Sequence, residues 1–250
     1  MTPTNDTDKS IVIQGLRKAF GKQVVLDGID LTIERGKTVS ILGQSGTGKS
    51  VLLKLIMGLQ KPDAGTIEIQ GKDVTKISRD ELNEIRKKIG FLFQNGALYD
   101  SLTVGKNVGF PLARHTELSS KERDDRVREL LSKVGMEKDV DKLPSDISGG
   151  MQKRVGLARA LALEPEIVLF DEPTAGLDPI TADEIDNLIA KLKSERQMTS
   201  IVVTHDIHAV RLFSDRVVML KQGRIAMDGT FEEMQKNKDE FIARFLKTAA

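Results

Sequence analysis

The stretch GQSGTGKS, from Gly43 to Ser50, decides how this sequence folds. It follows the β-branched and apolar run TVSIL and precedes the apolar helical pattern VLLKLIMG. A glycine-rich loop between a strand and a helix lets backbone N–H groups converge on phosphate oxygens, and its closing lysine and hydroxyl complete a Walker A pattern. A glycine turn that only caps a helix is the alternative, and the flanking strand and helix favour the phosphate loop.

Each part of this loop has a predicted role. Lys49 is expected to neutralise charge between the β- and γ-phosphates, and the Ser50 hydroxyl to bind a magnesium ion. The predicted cofactors are therefore ATP and Mg²⁺. The residues expected to contact ATP here are Gly43, Gln44, Ser45, Gly46, Thr47, Gly48, Lys49, Ser50 and Val51.

Composition and charge exclude several other classes. The 250 residues include no cysteine and carry a formal net charge of +1. The first fact excludes disulfides and thiolate zinc sites, and the second argues against a nucleic-acid partner bound through bulk positive charge. No stretch approaches the ~18 apolar residues of a membrane span, and the polar N-terminus does not read as a signal peptide. We expect a soluble chain that reaches a membrane only through a partner.

Short β-branched runs alternate with helical patterns, which is typical of a parallel sheet with helices on its faces. The runs IVLF and SIVVT are continuously apolar, as expected for strands buried on both faces. The earliest strands and the final pair, joined at KQG, are expected to be antiparallel or peripheral. The predicted strands are Ile11–Leu16, Val24–Ile33, Thr38–Leu42, Thr66–Ile69, Ile89–Phe93, Ile167–Asp171, Ser200–Thr204, Arg216–Leu220 and Arg224–Met227.

Helix signals fill the gaps between these strands. Ser78 with Glu81, and Ser119 with Glu122, each fit a capping box. The second pair precedes an apolar stripe that a glycine ends, formed by Val127, Leu130, Leu131, Val134 and then Gly135.

Two longer regions are predicted to be helical. Residues from about Asn95 to Leu163 lack convincing strands and are interpreted as a helical subdomain inserted into the α/β core. The tail DEFIARFLKTAA is predicted to form a short amphipathic helix with Phe241, Phe245 and Leu246 on one side.

The run IVLFDEP, Ile167–Pro173, is an apolar strand that ends in two acids. Acids at the carboxyl end of a central parallel strand lie at the ligand-binding edge of the sheet. Asp171 is expected to orient Mg²⁺, and Glu172 to align or deprotonate the attacking water. An acid pair at a helix N-cap is the alternative, and the upstream phosphate loop disfavours it.

Together with Ser148–Gly150, LFDEPTAGLDP and VVTHD, the phosphate loop resembles the ATPase subunit of ABC transporters from Ile11 to about Gly229. The resemblance implies a P-loop NTPase (RecA-like) α/β fold with a mainly parallel sheet, an N-terminal antiparallel β subdomain and an inserted α-helical signature subdomain. It implies a single ATPase domain over residues 1–250: a catalytic core at about 11–94 and 165–230, a helical subdomain at about 95–164 and a helical tail at 231–250.

Further roles follow from the resemblance and not from spacing. Gln94 matches the glutamine that contacts Mg²⁺ and the attacking water, and Asp178 matches the D-loop aspartate. His205 matches the switch histidine near the γ-phosphate, and Phe20 the aromatic that stacks on adenine. Read alone, Gln94 is an ordinary polar residue at a strand end and Phe20 is a core aromatic.

ISGGM, Ile147–Met151, matches the family's signature motif. In the family, this motif binds the γ-phosphate held by a second subunit, so Ser148, Gly149 and Gly150 are expected to bind ATP across a head-to-tail homodimer. Met151 stands where glutamine is usual and cannot hydrogen-bond a ribose hydroxyl, so that contact is not expected. Without the phosphate loop, the motif would be interpreted as a glycine-rich helix cap.

Two stretches, FLFQNGALYDSLTVGKNVGFPL and ISGGMQKRVGLARALALEPEIVLFDEPTAGLDPI, resemble the ATPase of Mla/Mce-type lipid transporters. That likeness implies phospholipid transport through separate integral-membrane permease chains. The family resemblance places Ala97, Leu98 and Tyr99 where the permease binds; the alternative for Leu98 and Tyr99 is the subdomain core. The likeness to lipid transporters places the chain at the cytoplasmic face of the inner membrane and adds small regulatory and lipid-binding subunits as expected partners. A polar-solute importer shares every catalytic motif; a soluble ABC ATPase and a P-loop kinase fit the sequence less well.

Overall fold

A computed structural model of the chain describes residues 8–195 and 197–248. They form two compact units, one comprising the residues up to Arg86 and from Lys193 onward, the other comprising Lys87–Leu192. Among the described residues, no helix combines the length and apolar character needed to cross a bilayer. The predicted limits of the core, helical subdomain and tail stay a prediction.

All the predicted strands form, with small shifts at their ends. Two differences are larger. A two-residue strand was not predicted because it is too short to show periodicity, and the first strand is longer than predicted because register shifts after Ile13 interrupt its alternation. The strands are β1 Lys9–Phe20, β2 Gln23–Glu34, β3 Thr38–Leu42, β4 Ala64–Ile69, β5 Lys72–Asp73, β6 Ile89–Leu92, β7 Ile167–Asp171, β8 Thr199–Val203, β9 Arg216–Lys221 and β10 Arg224–Gly229.

Two helices, α2 and α4, begin where the predicted capping residues place them. Ser119 and Glu122 form both hydrogen bonds of a capping box, and Ser78 and Glu81 bond in the same reciprocal way. The helices are α1 Lys49–Ile56, α2 Arg79–Lys87, α3 Val104–His115, α4 Ser120–Lys133, α5 Gly149–Ala160, α6 Pro179–Glu195, α7 Ile207–Phe213, α8 Phe231–Lys236 and α9 Glu240–Thr248.

The first unit contains an antiparallel and a largely parallel arrangement of strands. In the former the strand order is β2-β1-β4-β5, and all three pairings are antiparallel. In the latter, β3 lies between β8 and β9 and is parallel to both, while β10 pairs with β9 in the antiparallel sense. The predicted antiparallel character of the earliest and last strands is therefore confirmed.

The second unit carries a parallel strand pair and a group of helices. Strands β6 and β7 run parallel, and every residue of both is buried. Residues 95–163, all of them described, contain helices and turns and no strand. In α4 the predicted stripe is confirmed, because Val127, Leu130 and Leu131 are buried and Val134 closes it.

The C-terminal helix α9 packs into the core of the first unit. Phe245 is buried there as predicted, Phe241 and Leu246 pack at its margin, and Ile242 is fully buried, which the prediction omitted. The same cluster contains Leu42, at the end of β3, so the tail belongs to the core beneath the strand that leads into the phosphate loop.

Removing the Ile242 side chain tests this docking. We expect Ile242→Ala to lower the free energy of unfolding by about 2–5 kcal/mol, because it leaves a cavity in a packed core. Lys247→Ala, at an exposed position of the same helix, should change it by less than about 0.5 kcal/mol. Urea unfolding measures both, and equal stability of the two variants would show that α9 does not contribute to the core.

Candidate active site

The loop Gly43–Ser50 lies between the buried strand β3 and helix α1. Gly48 is the N-cap of α1, and none of the described side chains caps this helix end. The Lys49 side chain is buried, and its ammonium donates to the carbonyls of Gly43 at 2.8 Å and Gln44 at 3.2 Å. The ammonium is therefore held against the loop, at a helix start whose N–H groups and dipole favour an anion.

Only glycine fits at position 48. Its φ of +95° belongs to the left-handed half of conformational space, where side chains are strained. A Cβ at this position would also come within 2.8 Å of Leu26 Cδ2 and 2.9 Å of the Val25 carbonyl oxygen. The start of α1 thus depends on backbone lying closely against strand β2.

His205 lies at the same edge of the first unit as the loop. Strand β8 pairs in parallel with β3, and the Thr204 N–H donates to the Ile41 carbonyl at 3.3 Å. His205 is the next residue and is exposed. Parallel strands end together, so this register brings the histidine to the edge where Gly43 begins the loop.

Phe20 closes strand β1 at a hairpin and is 46% exposed, so the alternative that it is a core aromatic is wrong. The Lys18 ammonium lies 5.4 Å from its ring centroid. An exposed ring is available to stack on a planar ligand, and the adenine role stays a prediction.

Gln94 and Glu172 occupy equivalent places in the second unit. Leu92 pairs with Phe170 across β6 and β7, and each predicted site residue comes two positions later. Gln94 is exposed and Glu172 half-buried, while Asp171, the last residue of β7, is 6% exposed. The parallel register therefore brings the carboxylates and the amide to one edge.

Lys153 of helix α5 joins this edge, and sequence reasoning missed it. Its ammonium donates to the Gln94 carbonyl and, at 3.3 Å, to the Glu172 carbonyl. Burial lowers the pKa of Lys153, and the nearby carboxylates of Asp171 and Glu172 oppose that shift. The sequence signal that could have revealed Lys153 is its position three residues after Gly150, which places the two residues on the same, buried face of α5.

Two helical side chains anchor the backbone of the loop that follows β6. Arg159 donates to the carbonyls of Gly96 at 2.7 Å and Ala97 at 2.8 Å. Farther on, the Asn107 side chain is fully buried and accepts from the Tyr99 N–H at 2.8 Å while donating to the Tyr99 carbonyl at 3.1 Å. The loop backbone is anchored, and the Gln94 and Tyr99 side chains are exposed.

The signature residues form the start of α5. Ser148 is the N-cap, and its hydroxyl oxygen accepts from the Met151 N–H at 3.3 Å. Asp178 caps α6 by accepting from the Thr181 N–H at 3.1 Å and hydroxyl at 2.6 Å, and these bonds lower its pKa. Both residues therefore have local capping roles, and their predicted roles toward ATP stay predictions.

Tyr99 contributes to an exposed aromatic pair with Phe110. Their ring centroids lie 4.8 Å apart, and the two side chains are 46% and 38% exposed. Phe110 also lines a cavity of about 490 Å³ together with Leu102 and Val127. Leu98 is half-buried. The alternative that Tyr99 belongs to the subdomain core is wrong.

The fold and the glycine-capped loop define a P-loop α/β protein. The family model described as ABC transporter matches residues 26–175, and the chain belongs to this family. A solved dimeric post-hydrolysis state of an ATP-binding cassette bound to ADP and Pi is similar to this chain, with 37% sequence identity and a TM-score of 0.81. The match covers 88% of this chain and 98% of the solved chain. This likeness confirms the predicted fold class.

Two curated relatives differ in how much of their length the chain matches. The "Probable ribonucleotide transport ATP-binding protein mkl" of Mycobacterium tuberculosis is 42% identical over 95% of this chain, which spans 66% of that protein. The "Intermembrane phospholipid transport system ATP-binding protein MlaF" of Haemophilus influenzae is 38% identical over 95% of this chain and 90% of its own.

Neighbouring glycines at the start of α5 offer a matched test of this geometry. A Cβ at Gly150 would overlap the Thr181 methyl group, which the bond to Asp178 holds in place, whereas a Cβ at Gly149 would make an ordinary contact 3.7 Å from Leu177 Cδ2. We expect Gly150→Ala to lower stability by about 1–3 kcal/mol through overpacking. Gly149→Ala should be neutral or gain up to about 1 kcal/mol of helix stability. Thermal unfolding compares them, and equal melting temperatures would contradict the close packing.

Proposed function

We propose that this chain is the ATP-binding and ATP-hydrolysing subunit of an ABC transporter that moves phospholipid across the bacterial envelope through a separate permease. The observation that carries the proposal is the phosphate loop, in which a buried lysine lies against a glycine-capped helix start. The lipid assignment is supported by the MlaF relative, which this chain matches over 90% of its length.

ATP binding is proposed to begin at this loop. Backbone N–H groups and the Lys49 ammonium would bind the phosphates, and the exposed Phe20 ring would stack on the adenine. Ser50, Asp171 and Gln94 supply a hydroxyl, a carboxylate and an amide oxygen, which are the hard oxygen donors that Mg²⁺ prefers. The bound ion would neutralise phosphate charge.

Hydrolysis is proposed to depend on Glu172. Its carboxylate would orient and deprotonate the attacking water, with the Gln94 side chain as a second contact to that water. The exposed His205 would hydrogen-bond the γ-phosphate. Charge that develops on the phosphate oxygens would be stabilised by fixed donors, which is the main contribution a protein makes to phosphoryl transfer.

A second copy of the chain is proposed to complete each ATP site. Ser148, Gly149 and Gly150 lie at a helix start, where N–H groups and the helix dipole favour an anion. Asp178 begins the neighbouring helix α6, and Gly150 packs against Thr181. The similar cassette solved with ADP and Pi is dimeric, which supports the pairing of two copies.

The membrane partner is proposed to bind at the aromatic pair of Tyr99 and Phe110. Exposed apolar groups in contact with each other are typical of interaction sites, and the cavity beside Phe110 could receive a permease helix. The chain would then lie at the cytoplasmic face of the inner membrane, together with small regulatory and lipid-binding subunits. A polar-solute importer is the second candidate, since the mycobacterial relative is named for ribonucleotide transport.

Glu172→Gln tests the hydrolytic role. We expect kcat for ATP to fall by about 100- to 10,000-fold because the general base is lost, while ATP binding persists. Glu184→Gln, an exposed acid on α6, is the control and should keep the wild-type rate. Phosphate release and equilibrium nucleotide binding measure the two effects. Wild-type turnover by the Glu172 variant would show that another group activates the water.

Tyr99→Glu with Phe110→Glu tests the partner site and the transported substrate. Charged side chains should abolish binding of the permease while ATP binding stays normal, because the aromatic pair lies on an exposed surface. In a deletion strain the wild-type gene should restore the outer-membrane barrier to detergents, and the double variant should not.

Two results would contradict this proposal. Full rescue of the barrier and normal co-purification of the permease by the double variant would exclude the aromatic pair as the docking site. A deletion strain with an intact barrier that loses uptake of one polar solute would favour the importer.

A further inference from the structure

Lys153 is buried at a place where an apolar side chain would be easier to accommodate. It is 5% exposed, and its neighbours along α5, Val155 to Ala158, are all buried as well. Removing an ammonium from water is unfavourable unless good hydrogen-bond partners offset the loss of hydration. A methionine has nearly the same length and no such cost, so packing alone does not explain a lysine here.

The partners of Lys153 lie at the centre of the proposed chemistry. Its ammonium donates to the Gln94 carbonyl and, at 3.3 Å, to the Glu172 carbonyl. These are the two residues proposed to contact the attacking water, and they occupy equivalent places on the parallel strands β6 and β7. One side chain therefore joins the backbones that carry both side chains.

The backbone at Glu172 has a conformation that needs support. Its φ is +48°, in the left-handed region that non-glycine residues rarely occupy. Such conformations persist where surrounding contacts fix them. Lys153 supplies a contact to the carbonyl of this residue, so it holds the peptide from which the Glu172 side chain is directed.

We propose that Lys153 is a positioning residue for ATP hydrolysis, which fixes the peptides of Gln94 and Glu172 to the signature helix α5. The proposal rests on the proposed ATPase function and deepens it. It makes Lys153 the direct connection between the motif that would bind the partner subunit's ATP and the two residues that would act on water. A misplacement of about 1 Å at such groups can reduce a rate about 100-fold.

Arg159 allows this role to be separated from the folding of the loop. It donates to the carbonyls of Gly96 and Ala97, beyond Gln94, and belongs to the same helix. Loss of the Lys153 ammonium therefore releases the peptides of Gln94 and Glu172 while the rest of the loop stays anchored.

Lys153→Met is the central variant, because it keeps the length of the side chain and removes the donor. We expect a melting temperature at or above that of the wild type, an ATP dissociation constant within about twofold, and KM within about threefold. The kcat should fall at least about 10-fold. Lys121→Met, at an exposed position on α4, is the matched control and should leave every value unchanged. A kcat of the Lys153 variant within twofold of the wild type would overturn the proposal.

A double-mutant cycle with Glu172→Gln distinguishes positioning from a general structural effect. If Lys153 acts through Glu172, Lys153→Met should reduce kcat at least about fivefold less in the Glu172→Gln background than in the wild type. Equal fold losses in both backgrounds would overturn the positioning role. Wild-type turnover by Glu172→Gln alone would instead refute the proposed function of Glu172.

If Lys153→Met does not fold, Lys153→Gln answers the same question. Its amide keeps donors on a shorter side chain, so we expect kcat to fall at least about threefold with KM little changed. If Lys153→Gln turned over ATP at the wild-type rate, that result would also overturn the proposed role of Lys153.

Discussion

An α-helix cannot supply carbonyl acceptors for its own first N–H groups, and Gly48, the N-cap of α1, has no side chain that could cap them. Much of the first unit is arranged around this helix start. Strand β2 lies so close to Gly48 that no side chain fits between them, and β3 leads into the loop from a fully buried position. The ammonium of Lys49 adds positive charge at the same point. An anion is the natural acceptor for this combination, and the helices and strands behind the loop keep it in place.

Helix α5 has a comparable role in the second unit. Its first turn contains the signature glycines, and Lys153 contacts the backbone just after the ends of β6 and β7. In its last turn, Arg159 binds the loop that follows β6. Gly150 and Thr181 also bring the start of α6 into contact with it. One helix therefore contacts three features: the glycines proposed to bind the ATP of a second copy, the residues proposed to act on water, and the loop that leads to Tyr99. A displacement at either end of this helix has a direct physical route to the other.

Strong local patterns made most of the fold predictable. Continuous apolar runs gave β7 and β8 almost to the residue, and the pairs Ser119–Glu122 and Ser78–Glu81 gave two helix starts. Strand β5 was missed because two residues carry no periodicity, and the end of β1 because register shifts interrupt its alternation. In the tail, Ile242 was overlooked although it is fully buried, since it lies between two aromatic residues that dominated the pattern.

The sequence by itself determined the chemistry-bearing motifs: a glycine-rich loop whose flanking strand and helix favour a phosphate-binding turn, two acids at the end of an apolar strand, and a glycine pair at a helix start. Such motifs are local, so residue type and spacing are enough to reveal them. Only the tertiary structure decided which other groups meet them. Lys153 resembles any helical lysine until α5 packs on β6 and β7, and Tyr99 is exposed because Asn107 binds its backbone while its ring lies on Phe110. Contacts between residues distant in the chain depend on packing and register, which no short stretch of sequence contains.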